Sequence, residues 1–186
     1  MLAGGLAFAA FGAAQADTRP PLAGQMHKFT LHPSPRPAPG AEFKTRDGAA
    51  ATLAELRGRV LLVNYWATWC SPCVAEMPSL DRLEAILGGD DFAILPISSD
   101  RGGLRPVEAF YAKAGLKRLP IYLDQSMKFT RTSGVRALPT TLLIDRAGRE
   151  VGRMEGEAAW DAPEAQALIR HYIAEKPAQA LTKTGG

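Results

Sequence analysis

The chain has 186 residues, of which 46% are hydrophobic and 22% charged, so it can bury one full core and has little room for a second. Its net charge of +3 comes from scattered basic residues, without a basic run or a recognisable nucleic-acid-binding module. These values exclude nucleic acid from the expected partners and favour a mildly basic globular protein.

The N-terminal residues 1–16 resemble an export signal. Leu2–Ala14 is apolar but shorter than the roughly 20 residues that a transmembrane helix needs, and Ala14-Gln15-Ala16 fits a small-x-small cleavage site. No basic residue precedes the run, so a further upstream segment is expected. A helix packed in the fold is the alternative, although its glycines disfavour it. We therefore predict a signal peptide or a membrane anchor remnant over 1–16, and a periplasmic protein that is tethered to the membrane if the signal stays uncut.

The rest of the chain is predicted to be a linker, one domain and a tail. Residues 17–40 are rich in proline, which favours a stiff, extended linker, and residues 177–186 are predicted to be a flexible tail. Between them, residues 41–176 alternate between strand and helix patterns. Strands are predicted over 42–46, 60–66, 92–97, 121–123, 140–144 and 150–154, and helices over 71–87, 106–114, 127–132 and 162–175. This alternation predicts an α/β fold with a mixed sheet covered on both faces.

The stretch WATWCSPC, residues 66–73, contains both cysteines of the chain. As a structural disulfide the pair would stabilise the fold weakly, because it closes a very short loop. A zinc site needs four ligands, and the three histidines lie in the linker and in the last predicted helix. Transient Cu(I) binding remains open, since thiolates are soft ligands. Cycling between dithiol and disulfide is the favoured interpretation.

The setting of the C-x-x-C motif assigns different roles to its two thiols. Because the motif joins a buried strand to a helix, Cys70 is expected at the helix N-terminus, where free N–H groups and the helix dipole stabilise a thiolate. Cys70 is therefore predicted to be the exposed, attacking sulfur, and Cys73 the shielded thiol that resolves the mixed disulfide. No cofactor beyond this redox-active pair is expected.

The stretches WATWCSPC followed by EMP, and GVRALPTTLLIDRAG at 134–148, resemble the exported TlpA-like branch of the thioredoxin superfamily, which includes the ResA and CcmG types. The resemblance covers roughly residues 42–175. It implies a thioredoxin fold with an N-terminal strand extension and an inserted helix–strand unit over about 105–123.

The resemblance also implies roles for residues around the cysteines. Pro139 matches the cis-proline that faces the two sulfurs, and Leu138 before it turns its backbone toward a bound substrate. Trp69 matches the tryptophan beside the first cysteine. Ser71 and Pro72, between the cysteines, belong to the same substrate-binding surface.

One position departs from thioredoxin itself. Asn64 stands where thioredoxin has a buried aspartate, and an amide does not titrate. Glu76, three residues after Cys73, matches a glutamate common in the TlpA-like branch, which implies that it exchanges protons with Cys73. A solvated surface glutamate is the alternative.

The function implied by the resemblance is a periplasmic thiol:disulfide oxidoreductase, acting as a specific reductase in cytochrome c maturation or in assembly of the copper site of cytochrome oxidase. Its expected partners are a disulfide-bearing exported protein (an apocytochrome c or a copper-assembly protein) and a membrane electron donor of the DsbD/CcdA type. A DsbA-like oxidant and a non-enzymatic Cu(I) chaperone are the alternatives, although the chain has no room for the large helical insertion of the DsbA type. A peroxiredoxin is disfavoured because Thr68 lies two, rather than three, residues ahead of Cys70.

Overall fold

An eight-stranded mixed sheet runs through residues 20–175, the part of the chain that the computed structural model describes. The strands, in chain order, are β1 (Thr30–Pro37), β2 (Phe43–Thr45), β3 (Ala50–Ala51), β4 (Val60–Trp66), β5 (Phe92–Ser98), β6 (Tyr122–Leu123), β7 (Thr140–Ile144) and β8 (Arg149–Glu155). Their order across the sheet is β1-β8-β7-β4-β5-β6-β2-β3. The pairs β4–β5 and β5–β6 are parallel and all others antiparallel.

Helices cover both faces of this sheet. The α-helices are α1 (Ser71–Leu87), α2 (Leu104–Ala114), α3 (Lys128–Thr132) and α4 (Pro163–Ala174), and short 3₁₀ helices span Gly24–Lys28 and Leu53–Leu56. The helix α1 begins at the cysteines, carries Pro72 in its first turn and ends at Gly88. Its buried residues recur every three to four positions, which is the period of one helix face.

The central strand β4 divides the core into two layers. All seven of its residues are buried, and successive side chains point to opposite faces of the sheet. Leu62 and Trp66 belong to the layer that contains α1 and α4, whereas Val63 and Tyr65 pack with Phe129 of α3. The polar Asn64 therefore lies on the same face as α1, at the centre of the sheet.

The fold class predicted from the sequence is confirmed as a thioredoxin-like α/β fold. The predicted bounds of β4, α1 and β7 agree with the structure, and α2 and β6 form the inserted helix–strand unit. The helix α2 starts at Leu104, two residues before the predicted start at Pro106. The strand predicted over 42–46, at the N-terminal end of the domain, is present as β2.

The prediction of a linker over 17–40 is wrong for residues 24–37. Met26 and Phe29 are buried in the core, and β1 pairs with β8 from Thr30 to Pro37. Proline lacks an N–H donor, but an edge strand leaves one side of its backbone unpaired and tolerates it there. Pro33 and Pro35 lie where the register of the β1–β8 pair shifts, between Leu31 and Arg36.

Two predicted segments lie outside the described residues: the export signal or anchor at 1–16 and the flexible tail at 177–186. Within residues 20–175, none of the helices combines the length and the apolar character that crossing a membrane requires.

Candidate active site

The two cysteines form a disulfide at the start of α1. Their sulfur atoms are 2.03 Å apart and their Cα atoms 5.3 Å apart. Cys70 is the N-cap of α1, and its carbonyl accepts a hydrogen bond from the N–H of Val74 at 3.0 Å. Reduction would therefore place the sulfur of Cys70 beside the unpaired N–H groups of the first helical turn, which favour a thiolate. The predicted placement of Cys70 at the helix N-terminus agrees with this geometry.

The two cysteines differ in access to solvent. Cys70 is 7% exposed and Cys73 is 0% exposed. An incoming disulfide can thus reach Cys70, whereas Cys73 is enclosed. Cys73 is therefore placed to react with the mixed disulfide once that bond has formed at Cys70. This difference matches the predicted roles of attacking and resolving thiol.

We expect Cys70 of the reduced protein to alkylate with iodoacetamide at pH 7 about tenfold faster than Cys73, or faster still, because it combines exposure with the helix N-terminus. The measurement is mass spectrometry of peptides from timed, quenched samples. Equal rates for the two thiols would contradict the assignment of roles.

A buried carboxylate fixes the loop that leads to the cysteines. Thr68 donates to Asp100 through its backbone N–H at 2.9 Å and through its hydroxyl at 2.6 Å. The hydroxyl of Ser98 donates to the same carboxylate at 2.7 Å. Because β4 and β5 are parallel, their carboxyl ends meet at one edge of the sheet, which brings Asp100 to this loop. Asp100 was not among the residues predicted from the sequence, although a carboxylate two residues after the buried strand β5 was the available signal.

An apolar groove of about 340 Å³ opens beside Cys70. Its walls are Trp69 and Pro72 on one side and, on the other, residues that precede the cis Leu138–Pro139 peptide bond, together with Met127 and Thr130. The cis bond agrees with the role that the resemblance implies for Pro139. Of the predicted substrate-binding residues, Trp69, Pro72 and Leu138 line this groove. Ser71 is exposed but does not line it.

Trp69 is the most exposed large apolar side chain in the described part of the chain, at 66%. We expect Trp69→Ala to lower kcat/KM for a disulfide-containing peptide by about tenfold, because exposed aromatic side chains are frequent anchors of protein interfaces. The free energy of unfolding should change by less than about 0.5 kcal/mol, as for other surface substitutions. The control is Ile86→Ala, which removes a 48% exposed side chain at the far end of α1 and should alter neither quantity. A normal kcat/KM for Trp69→Ala would remove Trp69 from the substrate surface.

Glu76 is buried behind the cysteines, which excludes the alternative of a solvated surface glutamate. One carboxylate oxygen accepts a hydrogen bond from the side-chain amide of Asn64 at 2.7 Å. The other accepts from the backbone N–H of Ala158 at 3.1 Å and from the indole N–H of Trp160 at 3.0 Å. Burial raises the pKa of Glu76 to about 7, and these three donors oppose that rise.

Asn64 links this carboxylate to the sheet. Its amide nitrogen also donates to the hydroxyl of Thr141 at 2.9 Å, while its carbonyl oxygen is buried with no hydrogen-bond partner among the described residues. Thioredoxin's titratable group is thus replaced by an amide–carboxyl pair in which Glu76 alone takes up or releases a proton. Neither Trp160, a donor to Glu76, nor Thr141, an acceptor from Asn64, was predicted, because no pattern in the sequence relates them to this pair.

Glu76 reaches solvent by a route separate from the cysteine groove. It lines a second cleft, of about 370 Å³, together with Ser79, Arg82 and Ala158. No residue that lines this cleft also lines the apolar groove beside Cys70. The site therefore has one opening for a substrate disulfide and another beside the buried acid.

Comparisons with known proteins agree with this site. A family model described as Redoxin matches residues 33–169. The thiol-disulfide oxidoreductase ResA of Bacillus thuringiensis (strain Al Hakam) is 33% identical over 120 residues, which are 64% of this chain and 68% of ResA.

Two solved structures extend the comparison. A putative thiol:disulfide interchange protein DsbE from Chlorobium tepidum has a TM-score of 0.68 and 23% identity, covering 77% of this chain and 99% of that one, a likeness that concerns the fold. The pneumococcal exposed lipoprotein thioredoxin from Streptococcus pneumoniae strain TIGR4 has a TM-score of 0.57 and 30% identity, covering 70% and 95% of the respective chains. Together these findings confirm the resemblance to ResA-type proteins.

Proposed function

Because the chain belongs to the Redoxin family and is a thiol–disulfide oxidoreductase, we propose that it acts as a specific disulfide reductase in the periplasm. Its substrate would be an exported protein of cytochrome c maturation or of copper-site assembly in cytochrome oxidase. The observation that carries the proposal is the pairing of an accessible cysteine at a helix N-terminus with an enclosed cysteine and a buried carboxyl group.

The proposed reaction has two exchange steps. The thiolate of Cys70 attacks one sulfur of the substrate disulfide, forms a mixed disulfide and displaces the other substrate sulfur as a thiolate. Cys73 then attacks the sulfur of Cys70, closes the protein disulfide and releases the second substrate thiolate. Two electrons pass from the protein dithiol to the substrate, whose two thiolates take up protons.

Glu76 would accept the proton of Cys73 and return it. It lies three residues after Cys73, one turn along the same helix, and its pKa of about 7 allows it to accept or donate a proton near neutral pH. In the resolving step the Glu76 carboxylate takes the Cys73 proton, and in re-reduction it returns one. The cleft that Glu76 lines gives this proton an exit that is separate from the groove at Cys70.

A buried acid also supports the reductive direction. An ionised Glu76 carboxylate close to Cys73 disfavours the thiolate form of Cys73. This destabilises the reduced, dithiolate form of the protein relative to the disulfide, which makes the protein a stronger reductant. A protein of this kind needs a membrane electron donor of the DsbD/CcdA type to stay reduced among oxidants. Within residues 20–175 there is no second cysteine pair to relay electrons, so such a donor would dock at the Cys70 groove itself.

We expect a reduction potential closer to that of thioredoxin, about −270 mV, than to that of DsbA, about −120 mV. Equilibration with glutathione buffers measures it, and thiol trapping in whole cells should find the pair reduced when the membrane donor is intact. A potential near that of DsbA, with the pair oxidised in normal cells, would favour the oxidant alternative. Tight stoichiometric Cu(I) binding combined with sluggish disulfide exchange would favour the copper chaperone.

The export proposal rests on residues 1–16 and has its own test. Cell fractionation should place the protein in the periplasm or on the periplasmic side of a membrane, depending on whether cleavage follows Ala16. N-terminal sequencing of the mature protein distinguishes the two cases. Recovery in the cytoplasm with an intact N-terminus would contradict export.

A further inference from the structure

A third concave surface, which we call the basic cleft, lies over the β1–β8 end of the sheet, on the face that carries α3. Its volume is about 720 Å³, roughly twice that of the groove at Cys70. Six ionisable side chains line it, and five of them are basic: Lys28, His32, Arg36, Arg136, Arg153 and, as the one acid, Glu155.

The charged side chains on the floor of the basic cleft pair with one another. Buried Glu150 accepts a hydrogen bond from His32 at 2.8 Å and two from Arg153, at 2.7 and 2.9 Å. Arg153 also donates to the carbonyl of Ser133 at 3.1 Å, which ties the floor to the end of α3. These side chains are held in place and contribute little net charge.

The side chains at the rim set the electrostatic potential of the basic cleft. Lys28, Arg36 and Arg136 are exposed, and none of them forms an ion pair with another residue of 20–175. Glu155 is the single opposing charge on the rim. Positive charges gathered around one concavity attract an anion more strongly than the same charges spread over a surface.

The basic cleft adjoins the redox site. Arg136 lines both the basic cleft and the groove at Cys70. Glu155, at the near end of the cleft, pairs in register with Thr140, the residue after the cis-proline, while Arg36 pairs with Glu150 further along the same strand. Five residues of strand separate these two positions, a span of about 17 Å. The cleft therefore extends away from the cysteines in one direction.

Resting on the proposed function, we propose that the basic cleft binds an acidic segment of the protein substrate whose disulfide occupies the groove at Cys70. A thiol–disulfide oxidoreductase acts on a polypeptide, and a chain leaving the groove past Arg136 enters the cleft. The acidic segment would raise the rate of encounter and hold the substrate during both exchange steps. It would distinguish this substrate from other disulfide proteins in the same compartment.

The test compares two peptides that contain the same intramolecular disulfide. One continues through a flexible spacer of about six residues, which spans about 12–15 Å, into a run of aspartate and glutamate. In the other, serine and glutamine replace that run. We expect the reduced protein to act on the acidic peptide about fivefold faster at low ionic strength, and we expect 0.5 M salt to remove the difference.

The variant Arg36→Glu isolates the cleft, because Arg36 lines it without lining the groove at Cys70. We expect the preference for the acidic peptide to disappear, while the rate with the neutral peptide stays as in the wild type. The matched control is Arg170→Glu, an exposed arginine of α4 on the opposite face of the sheet, which should retain the preference. Equal urea midpoints for the two variants would establish that both are folded.

If the protein reduces neither peptide, that result overturns the proposed function but does not test the basic cleft. A binding experiment then tests the cleft separately. Fluorescence anisotropy with a cysteine-free acidic peptide and the oxidised protein should show binding that Arg36→Glu weakens about fivefold and Arg170→Glu does not. Equal binding to both variants would overturn the cleft proposal. So would phosphatidylglycerol vesicles that bind in an Arg36-dependent way while the acidic peptide does not, since the cleft would then contact a membrane surface.

Discussion

Replacing Cys70 by serine is expected to abolish disulfide exchange, whereas replacing Cys73 by serine should stop the reaction one step later. Cys70 is the sulfur that an external disulfide reaches, so Cys70→Ser leaves only enclosed Cys73, and we expect a fall in kcat/KM of about 10³-fold or more. Cys73→Ser retains the attack and loses the resolution, so the substrate should remain covalently bound. Non-reducing electrophoresis followed by mass spectrometry of the captured protein measures both effects and identifies the substrate.

Two controls make this pair of variants informative. Oxidised wild type carries no free thiol among the described residues and should capture nothing, which accounts for non-specific adducts. The double variant lacks both sulfurs and should capture nothing in any state. If Cys70→Ser accumulated mixed disulfides while Cys73→Ser did not, the two roles would be exchanged and the enclosed position of Cys73 would have to open in solution.

The second large effect concerns Glu76 and pH. Its pKa rises from an ordinary value of 4.5 to about 7 on folding, so between these values the folded protein holds a proton that the unfolded chain has lost. The associated stability is fully present below pH 4.5 and is lost as the pH rises through 7, by about 3 kcal/mol in total. Glu76→Gln should remove this loss, so the variant becomes the more stable protein at pH 8. Urea unfolding of the oxidised protein at pH 4.5, 6 and 8 measures the difference.

Glutamine is a suitable replacement because Asn64 can adapt to it. If the Asn64 amide reverses, its carbonyl oxygen, unpartnered in the present orientation, accepts from the glutamine amide. The glutamine oxygen meanwhile accepts from Ala158 and Trp160 as the carboxylate does. Glu76→Leu would instead leave these buried donors without an acceptor, at a cost of about 1–3 kcal/mol each.

The same variant tests the proton-transfer role. We expect Glu76→Gln to slow disulfide exchange at pH 7 by about 10²-fold and to remove the step near pH 7 from the pH–rate profile, since glutamine neither accepts nor releases a proton. Glu42→Gln, which neutralises an exposed glutamate, should leave both the profile and the pH dependence of stability unchanged. An unchanged profile for Glu76→Gln would reduce Glu76 to a structural role.

Local patterns determined the elements that carry the cysteines. The continuous apolar run of β4 and the three-to-four-residue repeat of α1 depend on residues adjacent in the sequence, so their bounds were predictable. The position of Cys70 as an N-cap follows from the junction of these two elements. The C-x-x-C motif and Leu138-Pro139 then identified the chemistry through their resemblance to a known family.

The misassigned N-terminal segment illustrates the limit of such patterns. Prolines in 17–40 indicated a linker, and the same composition is compatible with an edge strand. Only the pairing of β1 with β8, more than 110 residues further along the chain, distinguishes the two, and no local pattern encodes that pairing. The basic cleft could not be predicted from the sequence for the same reason, because it forms only when β1, β8 and the loop after α3 come together.

What the sequence by itself determined was which atoms exchange electrons: two thiols at a helix start, one of them shielded. What only the tertiary structure decided was the state of Glu76. Its position three residues after Cys73 was compatible with a solvated surface carboxylate or with a buried acid. Asn64 from β4, and Ala158 and Trp160 from the segment before α4, enclose it and donate to it. A pKa near 7 therefore follows from desolvation, which depends on groups that are distant in the sequence and adjacent only in the folded chain.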